Sequence, residues 1–178
     1  QERIGCYTTA SMGEGQLLCA HLGGQLDDMG KAAPLTSDLP EAAAWGLFGP
    51  VLVVDALGRR FAREDDPNAA ADACVVGDRG YWWTIFGKKL SSGAQARSIA
   101  QVTTKNAKRL AGPFDDVEAL AGGLGIASDA LKAVFDGYGE AVDAGKDDAF
   151  GRTAFLQEIE SPYYALKQLP VRYKTRGG

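Results

Sequence analysis

Apolar side chains recur at the spacing of an α-helix near the start of the chain. The pattern predicts a helix over residues 14–29. Gly23 and Gly24 fall in its middle and lower helix propensity by about 1 kcal/mol each relative to alanine, so we expect another part of the molecule to pack closely there. The positions at helical spacing are Leu17, Leu18, His21, Leu22, Gln25 and Leu26.

Two more helices are predicted in the C-terminal half. Asp115 or Asp116 is expected to cap a helix that ends before Gly125. Ser128 is expected to cap the next helix, which ends before Gly145. The apolar stripe of this last helix consists of Leu131, Val134, Phe135, Tyr138 and Val142.

Strand patterns separate these helices. Residues 51–54 are rich in valine and predict a strand, 55–58 a turn and 59–62 a return strand, which together form a hairpin. Residues 74–86 predict a second strand region with several aromatic side chains, and 162–166 a last extended segment. Short strands and helices without a βαβ alternation predict an α+β fold.

Length, composition and charge narrow the class of protein. The chain has 178 residues, 46% of them apolar and 24% charged, which is typical of one globular domain and excludes a disordered chain. Its formal net charge of −4 gives no electrostatic basis for binding nucleic acid or anionic lipid. The longest apolar stretch, residues 42–54, is too short and too interrupted to span a membrane. A cytoplasmic and an exported location both stay open.

The sequence gives little support for a metal site or for disulfide bonds. The chain has 3 cysteines and 1 histidine, and no two cysteines stand at the spacing of zinc ligands. We therefore expect no metal site and three free thiols that line the core. His21 is expected to be packed or partly exposed rather than catalytic.

Gly13, Glu14 and Gly15 form half of a dinucleotide fingerprint at the start of the first predicted helix. The simpler interpretation is a turn, and Glu14 disfavours a phosphate at this position. The alternative is that the free N–H groups of the helix terminus face an electron-rich ring edge of a cofactor. Phosphate loops, nucleophile elbows and HExxH motifs are absent from the sequence.

Five phrases, in order, resemble the FAD-dependent fumarate reductase/succinate dehydrogenase flavoproteins. The most specific is YGEAVDAGKDDAFGR at residues 138–152, which resembles the family's YN…G.D..FGR. Residues 11–29 are similar to its TGDG…A…GA…DM segment and 53–64 to its V…GKRFVNE hairpin. Residues 162–167 are similar to its PFYAVK, and 175–178 to its TxGG.

This resemblance implies a fold, a cofactor and a partner. The whole of 1–178 would be the α+β capping (catalytic) domain, excised from a Rossmann-type FAD domain. In the family that cap closes over the flavin and positions the substrate. FAD would belong to the full-length parent and would not bind tightly to this chain alone. The resemblance also makes Gly13, Glu14, Gly15, Thr175, Gly177 and Gly178 candidate cofactor contacts.

The residues that handle fumarate in the family are replaced here. Asn68 stands where its proton-donating arginine is expected, ten residues after Gly58. A Thr-Glu pair ahead of the hairpin falls on Ala43 and Ala44, and residues 30–36 lack the expected histidine. Because a dicarboxylate needs cationic or strong donor partners at both ends, fumarate itself is not the expected substrate.

The 3-ketosteroid dehydrogenase-like branch is an alternative relative, because its closing motif resembles Thr175-Arg176-Gly177-Gly178. The likeness makes Tyr173 a candidate catalytic residue, since a phenol can donate a hydrogen bond to a substrate carbonyl or abstract a proton. The alternative is that Tyr173 packs against the flavin domain.

Three charged or aromatic groups have alternative interpretations. Arg60, the second catalytic candidate, matches the family's hairpin together with Glu64, and the pair is expected to support the site by ion pairing. Trp82 and Trp83, with Tyr81, line either a substrate pocket or the core. A third group is expected to form a solvated turn, and it consists of Asp147, Asp148 and Arg152.

Two functions follow. The first is the substrate cap of an FAD-dependent oxidoreductase that reduces or desaturates a C–C bond of a small-molecule substrate, with the flavin domain of the same parent as its partner. The second is a catalytically degenerate cap that acts as a ligand-binding or interaction module.

Overall fold

The computed structural model describes residues 14–25, 36–37, 49–66, 68–92 and 107–171. Its helices are α1 (Glu14–His21), α2 (Ala69–Val76), α3 (Lys88–Ser92), α4 (Val117–Leu124) and α5 (Ser128–Ala144), with a 3₁₀ turn at Ala107–Arg109. Its strands are β1 (Thr36–Ser37), β2 (Val51–Val54), β3 (Trp82–Phe86), β4 (Leu110–Phe114), β5 (Tyr163–Gln168) and β6 (Pro170–Val171). The α+β prediction is confirmed.

Four of the strands form one antiparallel sheet in the order β2-β3-β5-β4. Val51 pairs with Phe86, and Phe86 pairs on its other side with Tyr164. β1 and β6 form a separate antiparallel pair. Because side chains alternate between the faces of a strand, both faces of the larger sheet carry apolar residues that need cover.

Different helices cover the two faces. On one face, α4 and α5 close the main core, which includes Leu52, Ile85, Leu120, Leu131 and Ala165. On the other face, a second cluster joins β2 and β3 to α2, and it includes Val53, Ala71, Cys74 and Trp82. The sheet therefore lies between two apolar layers.

The two C-terminal helices have different starts and similar ends. The side chain of Asp116 accepts a hydrogen bond from the backbone N–H of Ala119 at 2.7 Å, which confirms the predicted cap. The predicted cap by Ser128 is wrong, because Ala127 occupies that position and Ser128 already lies in the first turn. Gly125 and Gly145 end the helices in the left-handed conformation, as predicted.

Helix α1 is shorter than predicted. It ends at His21, and Gly23 then adopts a φ of +84°, a conformation that stops a helix. A Cβ on Gly24 would lie 2.8 Å from the carbonyl oxygen of Cys19, so the close approach expected here is to the end of the same helix. Residues 26–29 of the predicted helix lie outside the described residues.

The hairpin and the second strand region are also corrected. The turn after β2 is present, but its return arm pairs only through a bridge between Val54 and Arg60. Residues 74–76, predicted as strand, belong to α2, whose alanines favour a helix. Cys19 and Cys74 are free thiols, and Cys74 is buried as expected. The expectation of a core position is wrong for Cys19, which is exposed because α1 buries none of its residues. Cys6 lies outside the described residues.

Candidate functional site

The turn after β2 is held together by one carboxylate. Asp55 accepts hydrogen bonds from the backbone N–H groups of Leu57 at 2.9 Å and Arg59 at 3.0 Å. Its second oxygen receives the Arg59 guanidinium at 2.9 Å. Burial raises the pKa of Asp55, but these hydrogen bonds outweigh it and hold the pKa below its ordinary value.

Arg60, the next residue, points inward. Its guanidinium binds both oxygens of Glu64, with Nη2 2.6 Å from Oε2, and it reaches Asp147 at 2.5 Å. The Arg60 side chain is only 8% exposed. Burial lowers the pKa of Arg60, but the two carboxylates together raise it above its ordinary value, so the group stays charged.

Arg152 uses all five of its N–H donors. Nη1 donates to the carbonyl of Val51 at 2.7 Å and to Glu64 at 3.3 Å, and Nη2 donates to the carbonyls of Gly49 at 3.1 Å and Phe155 at 2.7 Å. Nε donates to the carbonyl of Ala154 at 2.8 Å. This side chain therefore joins the start of β2, the hairpin and residues 152–155. We call Arg60, Glu64, Asp147 and Arg152 the arginine network.

The prediction of a solvated turn is wrong for two of its three residues. Asp147 and Arg152 are buried, 3% and 2% exposed respectively, whereas Asp148 is exposed and pairs with Lys146 at 2.6 Å. The reason is that Asp147 and Arg152 find partners on the hairpin, far away in sequence. For Arg60 and Glu64 the predicted ion pair is confirmed.

Aromatic rings surround the two arginines. The Arg60 guanidinium lies 4.5 Å from the ring centre of Phe150, and both guanidiniums lie 5.7 Å from that of Tyr138. The Tyr138 hydroxyl donates to the carbonyl of Gln157 at 2.8 Å. Carboxylates hold the Arg60 guanidinium, and carbonyls and Glu64 hold that of Arg152, so this cluster is suited to fixing the hairpin rather than to transferring a proton.

Two depressions flank α5. The larger, of about 690 Å³, is an open groove between one side of α5 and the arginine network, with Arg59, Gly137 and Phe150 in its lining. The smaller, of about 320 Å³, lies on the other side of α5 beside the start of β5 and includes Phe135, Gly139 and Tyr163. We call the smaller one the aromatic cleft.

Few of the predicted cofactor contacts can be placed. Glu14 and Gly15 lie in the first turn of α1, and a side chain at Gly15 would meet nothing within 4 Å. Gly13, Tyr173, Thr175, Gly177 and Gly178 lie outside the described residues. Helix α1 buries none of its residues. Its leucines Leu17 (69%) and Leu18 (60%) are exposed, and so is Leu22 (77%), which directly follows the helix.

The aromatic residues of β3 belong to the layers around the sheet. Trp82 is buried in the cluster beneath α2, and Trp83 packs partly against the main core. Tyr81 meets Trp83 edge to face at 6.0 Å, and the Lys167 ammonium lies 3.9 Å from the Tyr81 ring centre. The core interpretation is confirmed for Trp82.

Neither a metal centre nor a membrane span is found in the described part of the chain. No three histidine, cysteine, aspartate or glutamate side chains gather there as metal ligands. None of the helices described has the length and apolar character needed to cross a bilayer.

Comparison with known proteins gives consistent results, although no family model matches the chain. "Probable fumarate reductase Ifc3" of Shewanella frigidimarina is 34% identical over 130 residues, which cover 71% of this chain and 21% of that protein. The solved open conformation of a flavocytochrome c3 fumarate reductase is 27% identical, with a TM-score of 0.67, over 93% of this chain and 30% of the other.

A 3-ketosteroid Δ1-dehydrogenase from Sterolibacterium denitrificans, solved with 1,4-androstadiene-3,17-dione, has the same fold. Its TM-score is 0.70 at 20% identity, over 93% of this chain and 36% of the other. The chain thus spans about a fifth to a third of the length of these relatives, which are FAD-dependent flavoproteins. The homologues and structural neighbours of the chain are thus fumarate reductase flavoproteins and 3-ketosteroid dehydrogenases, and the chain has the α+β fold of the part that it matches.

Proposed function

We propose that this chain is the substrate cap of an FAD-dependent oxidoreductase that reduces or desaturates a C–C bond. The observation that carries the proposal is the shared fold, which covers 93% of the chain in both a fumarate reductase and a 3-ketosteroid dehydrogenase. Both relatives are named for redox reactions, and the chain matches 30% of the first and 36% of the second. A cap of this kind excludes water and positions the substrate.

The start of α1 supports a contact with the flavin. Gly15 leaves open space in the first turn, where backbone N–H groups of a helix lack partners within the helix. The two exposed leucines of α1, together with Leu22 just after it, are suited to packing against a second domain. Gly13, Glu14, Gly15, Thr175, Gly177 and Gly178 would then lie along the cofactor, which supplies the hydride chemistry when bound.

The proposal excludes fumarate as the substrate because of the residue at the position expected for the proton donor. Asn68 precedes α2 and makes no capping hydrogen bond through its side chain. An amide has no acidic proton to give to a substrate carbon. We assign proton donation or abstraction to Tyr173 instead, and assign to Arg60 the support of this side of the cap through Glu64.

The test is to purify the full-length parent and to follow the oxidation state of its flavin by absorbance. We expect a yellow protein whose reduced flavin is reoxidised by an unsaturated acid other than fumarate or by a 3-ketosteroid enone. Tyr173→Phe should lower kcat by about 10²- to 10⁴-fold, the range of general acid–base catalysis, without loss of flavin. A colourless, folded parent would contradict the proposal.

A degenerate cap that only binds a ligand or a partner is the second candidate. It is favoured by the replacement of the acidic and cationic positions at Ala43, Ala44 and Asn68. In that case the parent binds flavin, but no unsaturated substrate reoxidises it. Tyr173→Phe would then change nothing measurable in turnover.

A further inference from the structure

The aromatic cleft has no part in the proposed redox function. It lies between the second half of α5 and the residues that lead into β5. Its volume of about 320 Å³ is at the lower end of the range of about 300–1,000 Å³ found for small-molecule pockets. The cleft is therefore large enough for a compact ligand.

Two aromatic side chains form one wall of the cleft. Phe135 on α5 and Tyr163 on β5 meet at 5.3 Å between ring centres, with an angle of 70° between the ring planes. Both residues are only partly buried, so ring surface remains available to the cleft. The face of an aromatic ring attracts a cation within about 6 Å of its centre.

Two carboxylates stand at the rim of the same cleft. Asp143 and Glu158 are exposed and line the cleft. No lysine, arginine or histidine is among the residues that line the cleft. The nearby Lys89 is bound to Glu160 at 2.7 Å and also attracts Glu158. The cleft thus carries two negative charges that its own lining does not neutralise.

Glu158 acts directly on the aromatic wall. Burial, followed by the charges of Glu158 and Asp116, raises the pKa of Tyr163 above its ordinary value. The phenol therefore stays neutral at physiological pH and adds an uncharged ring beside the carboxylate.

We propose that the aromatic cleft binds a small organic cation that carries an alkylammonium group. The rings of Phe135 and Tyr163 would contact this group on one side, and the carboxylates of Asp143 and Glu158 on the other. Ile159 supplies an apolar floor for the alkyl part. Gly139 supplies the room, because a side chain there would meet no atom within 4 Å. A bare metal ion is disfavoured, since only two carboxylates line the cleft and most of its lining is apolar.

The test uses two ligands of the same shape. Choline carries a quaternary ammonium, and 3,3-dimethylbutan-1-ol replaces its nitrogen by carbon. In a titration of the 178-residue chain followed by amide NMR, choline should produce saturable shifts at Gly139 and Glu158, with a dissociation constant in the millimolar range. The uncharged alcohol should bind at least tenfold more weakly.

A pair of glycine variants supplies a matched control. Gly139→Leu should fill the cleft and abolish the shifts, whereas Gly137→Leu, two residues earlier and facing the larger groove, should leave them unchanged. The double variant Asp143→Asn/Glu158→Gln should weaken binding about tenfold. Phe135→Leu gives a second measure of the aromatic wall if Gly139→Leu does not fold.

A second arm distinguishes the source of the ammonium group. A blocked lysine amide that binds more tightly than choline would indicate a protein side chain as the natural ligand, and the reverse order would indicate a free amine. Equal shifts for choline and the uncharged alcohol would overturn the proposal. Undiminished choline binding by a folded Gly139→Leu or by folded Phe135→Leu would overturn it too.

Discussion

The arginine network and helix α1 are opposite kinds of structure in one chain. In the network, two buried arginines bind carboxylates and backbone carbonyls, and these pairs connect β2, the hairpin and residues 147–155. In α1 no residue is buried, and its two leucines are exposed, as is Leu22 just after it. The first region is complete within the described chain, whereas the second has an apolar surface that the described chain does not use.

This difference separates stability from function. The chain's own partners neutralise the network's charges, so changes there should act on folding. Exposed apolar side chains are not buried when the domain folds, so they do not stabilise it. Substitutions in α1 should therefore affect only the association of this chain with another domain. The predictions below test this separation.

The largest effect is expected at Arg152. Arg152→Met should lower the free energy of unfolding by about 3–5 kcal/mol, because it leaves Glu64 with one cation fewer and several buried carbonyls without a donor. Urea unfolding measures this loss. Lys132→Met, which removes an exposed ion pair with Asp136, should cost less than about 1 kcal/mol, and an equal loss in both variants would refute the role of the network.

Gly58 is the next most sensitive position. Its φ is +77°, and a Cβ there would collide with the Cγ2 atom of Ile126. Gly58→Ala should therefore lower the free energy of unfolding by about 2–3 kcal/mol, from backbone strain and overpacking together. Gly122→Ala is the control, because that helical position is open and alanine should stabilise it by about 0.5–1 kcal/mol. Thermal unfolding of both variants should show shifts of opposite sign.

Two carboxylates that are bound by arginines predict that the stability of the fold depends on pH. Burial raises the pKa of Asp147, but Arg60 outweighs it and holds the pKa below its ordinary value. The hydrogen bond from Arg63 is the main cause that lowers the pKa of Asp65. Groups with a lowered pKa stabilise the fold above their unfolded pKa of about 3.9, and that contribution is lost as the pH falls through the folded value.

Unfolding free energy should therefore be constant from pH 7 to about 5 and fall by about 1–3 kcal/mol towards pH 2. Asp147→Asn should be less stable at pH 7 and should lose less on acidification. An Asp147→Asn variant with the same acid loss as the native chain would show that other groups cause it.

Local patterns predicted the elements better than the contacts between them. The valines of β2, the cap at Asp116 and the glycines after α4 and α5 each act through neighbours in sequence, and all were found as predicted. The Arg60–Glu64 pair was predicted, but the rest of the network was not, because its contacts join Arg60 to Asp147 and Arg152 to Val51, which are far apart in sequence. The one available signal was that the phrase at residues 138–152, which ends at Arg152, resembles a family motif.

The smallest effect on stability is expected at α1, and it completes the comparison. Leu17→Ser together with Leu18→Ser should change the free energy of unfolding of the 178-residue chain by less than about 0.5 kcal/mol, since both side chains are already exposed. The same change should reduce the binding of an apolar fluorescent dye, because it removes most of the apolar surface of this helix. In the full-length parent it should weaken flavin retention if α1 packs against a flavin domain.

Leu120→Ser is the control. Because Leu120 lies in the main core, this substitution should unfold the domain. A large loss of stability on changing α1 would mean that its leucines are covered within this chain, and the division between a self-sufficient network and an association surface would be wrong.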